Sequence, residues 1–345
     1  MSNSNSKSEI QRRKKKTIEY GRFGYFFIAP FFIVYLIFSL WPLLYTLGLS
    51  FYEYYASNGG ASYVGPNFIG LKNYMSEIKL FITDFSKILG NIAGSPQSIG
   101  NAFYNTFYIW FFNFVPQILL SLLLASWFTD IRIKLKGQGG FKVMMYMPNI
   151  ITAATIAALF YSLFAVGGPG DQFLVGLGLK EKTFDLLNDT GFRRLLIAFI
   201  QFWMWYGNTM IILIAGVLGI SPSLFEAAMV DGATSKQIYR NVTLPLLKPI
   251  LLYTLVTSAI GGMQMFDIPK LMIKKAADYK TETISMYIFK HGISTRNLGK
   301  GATASVLLFV VTLILSLILF YIMRDKDEIK ERKENKKYMK KIGKE

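Results

Sequence analysis

The sequence contains no cysteine, which excludes disulfides, thiolate metal sites and a cysteine nucleophile. It contains a single histidine, His291, too little for a His-based metal cluster or a Ser/His triad. Charge is scarce too. Only 17% of residues are Asp, Glu, Lys or Arg, against roughly 25% in a soluble domain. A phosphate-binding loop is missing: the nearest segment, Asn297-Leu298-Gly299-Lys300-Gly301, has Gly after the Lys where Ser or Thr belongs, and no strand precedes it. Paired intramembrane carboxylates of the kind that drive ion-coupled carriers are also absent.

Apolar length is what remains. The 345 residues are 52% hydrophobic and 16% aromatic, with a mean hydropathy of +0.35. About 20 apolar residues span a bilayer as a helix. Six stretches qualify: Gly24–Ser50, Tyr104–Phe128, Val143–Ala165, Leu195–Leu218, Leu246–Phe266 and Ala302–Met323. Lys248, in the first turn of the fifth, is their one ionisable Lys, Arg, Asp or Glu. The first stretch is much longer than the 7–15-residue core of a signal peptide, so it reads as an uncleaved helix. Pro30, Pro42, Pro116, Pro148 and Pro249 lie in or beside these stretches, as packing kinks or as bends around a pathway.

The net charge of +17 does not point to nucleic acid, because the basic residues crowd into the tails. With both termini in the cytoplasm, 24 of the 38 Lys and Arg fall on that side, the bias that membrane orientation produces. Seven others lie in the outer loop 267–300, among them Lys274, Lys275, Lys280 and Lys290; that loop reads as a solvated surface or a partner-docking one. The organisation is therefore a basic tail (1–22), a six-helix domain (23–323) with a polar loop at 219–248, and a charged tail (324–345).

That loop reads EAAMVDGATSKQIYRNVTLPLLKP over residues 226–249. Ser221-Pro222 is a helix start, with Pro at the first helical position. Gly232 supplies a turn. Thr234-Ser235-Lys236-Gln237 has capping-box spacing for a second helix, expected to end before Leu244-Pro245. Ala228, Gly232 and Ile238 have the spacing of a helix-turn-helix core. However, 27 residues between two membrane spans leave no third helix and no free recognition face, so DNA binding is rejected. Two readings stay open on physics alone: an amphipathic hairpin resting at the membrane surface, or a docking element through which a partner moves the flanking helices.

Glu226-Ala227-Ala228, Asp231-Gly232-Ala233 and Val242-Thr243-Leu244-Pro245 resemble, in order and spacing, the EAA signature of permease subunits of ATP-binding-cassette importers. Further stretches resemble the maltose/multiple-sugar branch: Pro30 with Trp41-Pro42-Leu43 and Ser50-Phe51, Phe68-Ile69-Gly70-Leu71-Lys72-Asn73-Tyr74, Asn105-Thr106, Phe141-Lys142 with Tyr146-Met147-Pro148, and Gly301-Ala302 with Ala304-Ser305. The resemblance covers residues 20–323.

It implies an all-α integral membrane protein of the type I ABC importer permease fold, six transmembrane helices with a cytoplasmic coupling-helix hairpin, in a bacterial or archaeal plasma membrane. Glu226 would pair with a basic residue of an ATPase and Gly232 would turn the hairpin. The chain would work as a heterodimer with a second permease over two ATPase subunits, which use ATP and Mg; no enzymatic activity or cofactor is expected in the chain itself. An extracellular solute-binding protein would deliver a sugar. Sugars are held by aromatic faces and by amide and hydroxyl groups, and relatives draw their site from the fourth and fifth spans. Those spans offer Gln201, Trp203, Tyr206, Asn208, Thr257, Ser258, Gln264 and Asp267. Trp205 is also there, but at 100° per residue it lies about 200° from Trp203, so both cannot face one cavity. Glycerol-3-phosphate or another anionic solute is the alternative, and a membrane scaffold or enzyme a more distant one.

Overall fold

The structure, a computed structural model, describes residues 21–89, 98–130, 132, 136–179, 185–273 and 280–324. Both tails beyond these limits, and Lys274 and Lys275, lie outside the described residues. The chain divides into two units, residues 1–48 and 49–345.

In the first unit, α1 (Gly21–Tyr35) passes through a π turn (Leu36–Leu40) into α2 (Trp41–Leu49). The wide turn precedes Pro42, whose missing N–H a regular α turn would leave unmatched. Its side chains are almost wholly apolar and exposed, as suits lipid.

The second unit opens with an element that the sequence reading did not anticipate. Strands β1 (Tyr52–Ser57) and β2 (Ser62–Phe68) pair antiparallel across Asn58-Gly59-Gly60. Asn58 and both glycines have positive φ, the conformation that tight hairpin turns require. The amphipathic α3 (Lys72–Leu89) leads to α4 (Ile99–Thr129), which Ser98 caps by accepting from the Asn101 amide at 3.2 Å.

The expected third span is corrected. Val143–Ala165 is not one helix: α5 (Gln138–Ile150) ends at Ile151, and α6 (Ala153–Phe164) restarts on a Thr152 cap and leads into α7 (Pro169–Gly176). Ile151 and Thr152 are extended, and the Thr152 hydroxyl accepts from the Thr155 amide, so the chain stops one helix and nucleates another. The helical span is Ala153–Gly176.

Next come α8 (Thr190–Leu218), capped by Asp189, then α9 (Pro222–Val230) and α10 (Ser235–Ile238). Here a second correction is needed. The hairpin's second helix does not end before Leu244-Pro245; it runs through a π turn (Tyr239–Thr243) into α11 (Leu244–Leu246) and α12 (Lys248–Met263). The wider turn passes Pro245 without a break. The chain closes with α13 (Asp267–Met272), α14 (Ile284–Phe289) and α15 (Leu298–Met323).

Six helical segments of the described residues are long and apolar enough to span a membrane. α8 is the central one and the most buried of the six, whereas α15 is mostly uncovered. Lipid is as apolar as leucine, so close approach rather than hydrophobicity joins such helices. A Cβ on Gly207 would sit 2.1 Å from the Met145 carbonyl oxygen of α5. Gly262 of α12 leaves room for Trp110 of α4, whose ring a Cβ would meet at 2.3 Å, whereas Gly261 faces open space. Polar bonds add specificity: the Ser121 hydroxyl donates to the Tyr206 carbonyl at 2.7 Å.

Candidate functional site

The hairpin between α8 and α12 is built by local chemistry. The Gly232 amide donates to Met229 O and the Ala233 amide to Ala228 O, the paired bonds of a Schellman ending to α9. Gly232 has φ +75° and its Cβ position is empty, so glycine is needed there for conformation, not space. The Thr234 hydroxyl accepts from the Gln237 amide at 3.4 Å and Gln237 Oε1 accepts from the Thr234 amide at 2.7 Å, the expected capping box. Pro222 occupies the first turn of α9, but the Ser221 hydroxyl bonds Ser223 instead of capping.

Phe225 turns inward onto a cluster of Leu213, Val217 and Leu247, while Glu226, Ala227, Asp231 and Gly232 are exposed. Val230 is 88% exposed. Ala228 and Ala233 are half-buried; Leu244 packs partly on the same cluster and Pro245 is exposed. The hairpin thus presents acidic groups and an apolar side chain outward. Arg132, just past α4, donates to the Ala233 carbonyl at 2.6 Å. A cavity of ≈ 380 Å³ lies between the hairpin and the end of α4, lined by Trp127, Asp130, Met229 and Tyr239. Burial there pushes the Tyr239 phenol above its usual range.

A second cavity of ≈ 380 Å³ lies among α4, α8, α12 and the entry to α13. Of the eight residues proposed from sequence for a pathway, Gln201, Asn208, Thr257, Ser258, Gln264 and Asp267 line it. Trp203 and Tyr206 do not. Trp203 packs edge-on to Phe160 at 5.7 Å, and Tyr206 lies against Phe202 beside the cluster of Leu213. Trp205 is the tryptophan that faces the cavity. The sequence reading missed the α4 wall: Asn113 and Gln117, both nearly fully buried. Gln117 Nε2 donates to Thr209 Oγ1 at 2.8 Å and to Ser258 Oγ at 3.0 Å, tying three helices together. The signal was present, since Asn113, Gln117 and Ser121 recur every four residues and so share one face of an otherwise apolar helix.

The outer loop is neither simply solvated nor simply a docking face. Asn105 Nδ2 donates to the carbonyls of Lys280 and Glu282, at 3.1 and 2.9 Å, and Arg194 Nε donates to Asn105 Oδ1 at 2.7 Å. Lys290 pairs with buried Glu282 at 3.0 Å, and Lys300 with buried Glu77 at 3.3 Å. Tyr287, fully buried, donates to Glu77 Oε2 at 2.9 Å. Burial raises the Glu282 carboxyl, opposed by Lys290, and pushes the Tyr287 phenol well up. His291 lies tilted against Tyr287 at 4.3 Å with Nε2 buried and unpartnered; burial, then Lys300 and Lys290, lower it to about 3. The rejected phosphate-loop segment has a structural role: Asn297 caps α15 by accepting from the Lys300 amide at 3.1 Å.

Residues 87–326 match the family described as "Binding-protein-dependent transport system inner membrane component". Similar curated proteins include the lactose transport system permease protein LacF of Rhizobium radiobacter, 27% identical over 88% of this chain and 94% of that one. The arabinooligosaccharides transport system permease protein AraP of Bacillus subtilis is 26% identical over 85% of this chain and 86% of its own. The trehalose/maltose transport system permease protein MalF of Thermococcus litoralis is 26% identical over 87% and 92%. Among solved structures, a chain of a bacterial alginate ABC transporter, in complex with a periplasmic protein bound to alginate pentasaccharide, superposes with a TM-score of 0.68 at 23% identity, covering 89% of this chain and 96% of that one.

Proposed function

The chain belongs to the binding-protein-dependent transport system inner membrane component family, the permeases of ABC importers, and from that premise we propose that it forms half of the translocation pathway for a sugar or oligosaccharide. Substrate arrives from an extracellular solute-binding protein, and a second permease supplies the other half. Two ATPase subunits, using ATP and Mg, provide the energy. Both termini are cytoplasmic, which puts the hairpin on the ATPase side.

One observation carries the mechanism. The hairpin joins α8 and α12, and those same helices form two walls of the amide-lined cavity. An ATPase that grips the hairpin therefore displaces the cavity walls directly. Glu226 and Asp231 are exposed for a basic groove, and Val230 offers an apolar anchor. Amides, hydroxyls and the Trp205 face around the cavity are the groups that hold a polyhydroxylated ligand. The curated relatives above are permeases for lactose, arabinooligosaccharides and trehalose/maltose, which supports the carbohydrate class.

Glu226→Lys tests the coupling. In the complete importer reconstituted in proteoliposomes, ATP hydrolysis should no longer drive sugar uptake. Uptake at the wild-type rate would refute the role given to the hairpin.

A further inference from the structure

Asn113 lies at the middle of α4, 5% exposed, and lines the cavity. Its Oδ1 is buried with no hydrogen-bond partner. Native chains leave few buried polar atoms unpaired, because such an atom loses its water and gains nothing. One turn further on, Gln117 has both amide hydrogens committed, to Thr209 and Ser258. Gln117 is therefore fixed scaffold, and Asn113 has unused capacity. The side chain lines the cavity, so a small rotation brings its oxygen to a donor there.

The charge of the lining limits what that donor belongs to. Among the described residues, no Lys or Arg lines the cavity, and Asp267 is its one carboxylate. On this chain's half of the pathway an anionic ligand would meet no counter-charge and one like charge, in surroundings that screen poorly. Two of the outer-loop cations, Lys290 and Lys300, are paired with Glu282 and Glu77.

We propose that Asn113 is a ligand-binding residue whose side-chain oxygen accepts a hydroxyl hydrogen from an uncharged saccharide. This rests on the carbohydrate reading above and sharpens it: neutral glycans are admitted, and glycerol phosphates or uronates are not.

The test uses the purified importer complex without its binding protein, which would otherwise impose its own selectivity. Saturation-transfer-difference NMR reads binding of lactose, maltose and, as the acidic probe, dimannuronate. Lactose or maltose should give a saturable signal. Asn113→Leu should weaken it about tenfold, the loss of one buried hydrogen bond. Asn113→Thr, which keeps a neutral acceptor oxygen and adds no buried charge, should bind within about threefold of wild type; that retained binding separates a lost bond from a misfolded helix. Dimannuronate should bind at least about tenfold more weakly than the neutral sugars. Leu and Thr variants that lose binding equally, a Leu variant that binds normally, or equal binding of dimannuronate would each overturn the proposal. Uptake by the complete importer in proteoliposomes separates the two levels. Neutral oligosaccharide uptake without any such binding refutes the role of Asn113 alone. Failure to import any member of a neutral and acidic oligosaccharide panel refutes the carbohydrate reading as well.

Discussion

Gly292 and Gly301 face each other where the π turn after α14 meets α15, yet they are not equivalent. A Cβ built on Gly301 would lie 2.6 Å from the Gly292 Cα and 2.7 Å from its N, both backbone atoms that cannot rotate away. A Cβ on Gly292 would lie 3.9 Å from the Gly301 Cα, an ordinary contact. Gly301→Ala therefore forces the two segments apart by roughly 1 Å, at an overpacking cost of about 1–3 kcal/mol. Gly292→Ala meets no obstacle and removes backbone freedom from the unfolded chain, so it should be neutral or stabilising by up to about 1 kcal/mol. For a chain of this size each kcal/mol moves the melting temperature by roughly 1.4 °C, so Gly301→Ala should melt about 1–4 °C lower. The assay is thermal unfolding of the detergent-purified chain, followed by fluorescence of its five tryptophans and compared at one scan rate because such melts are rarely reversible. Equal destabilisation by both alanines, or none by Gly301→Ala, would refute the reasoning.

Tyr287→Phe should cost about 1–3 kcal/mol by removing the donor to buried Glu77. In a cycle with Glu77→Leu the two losses should be less than additive, and strict additivity would show that the bond contributes nothing. His291, the sole histidine, is lowered in the folded chain from 6.5 to about 3. The unfolded chain takes up that proton first, so the contribution is full above pH 6.5 and is lost as pH falls toward 3. Melting temperature should therefore decline between pH 6.5 and about 5, ahead of most carboxylates, and His291→Gln should flatten the decline; an unchanged slope would count against it.

What the sequence made legible is what depends on local rules. Spans followed from uninterrupted apolar length, and the Gly232 turn and the Thr234–Gln237 capping box followed from neighbours within four residues. What escaped depends on contacts between distant residues or on a choice between two local solutions. Pro148 did not mark the break; extended backbone at Ile151 and the Thr152 cap did. Pro245 looked like a stop, but a π turn absorbed it. The rotational argument that only one of Trp203 and Trp205 faces the cavity held, yet periodicity has no zero of angle, and packing against Phe160 decided which. Lys290 and Lys300 of the outer loop looked solvent-bound because their partners, Glu282 and Glu77, are known only once the chain is folded.

The bond from Arg132 to the Ala233 carbonyl has a mechanical consequence. α8 and α12 are joined to the hairpin covalently, whereas α4, which carries the third wall of the cavity with Asn113 and Gln117, reaches it through this guanidinium. Two walls must follow any displacement of the hairpin tip, and the Arg132 contact ties the third to the tip as well, beyond the bonds that Gln117 and Ser121 make deeper between the helices. Arg132 is in this sense a brace at the tip, bonding the end of α4 to the turn of the hairpin and not to a helix beside it.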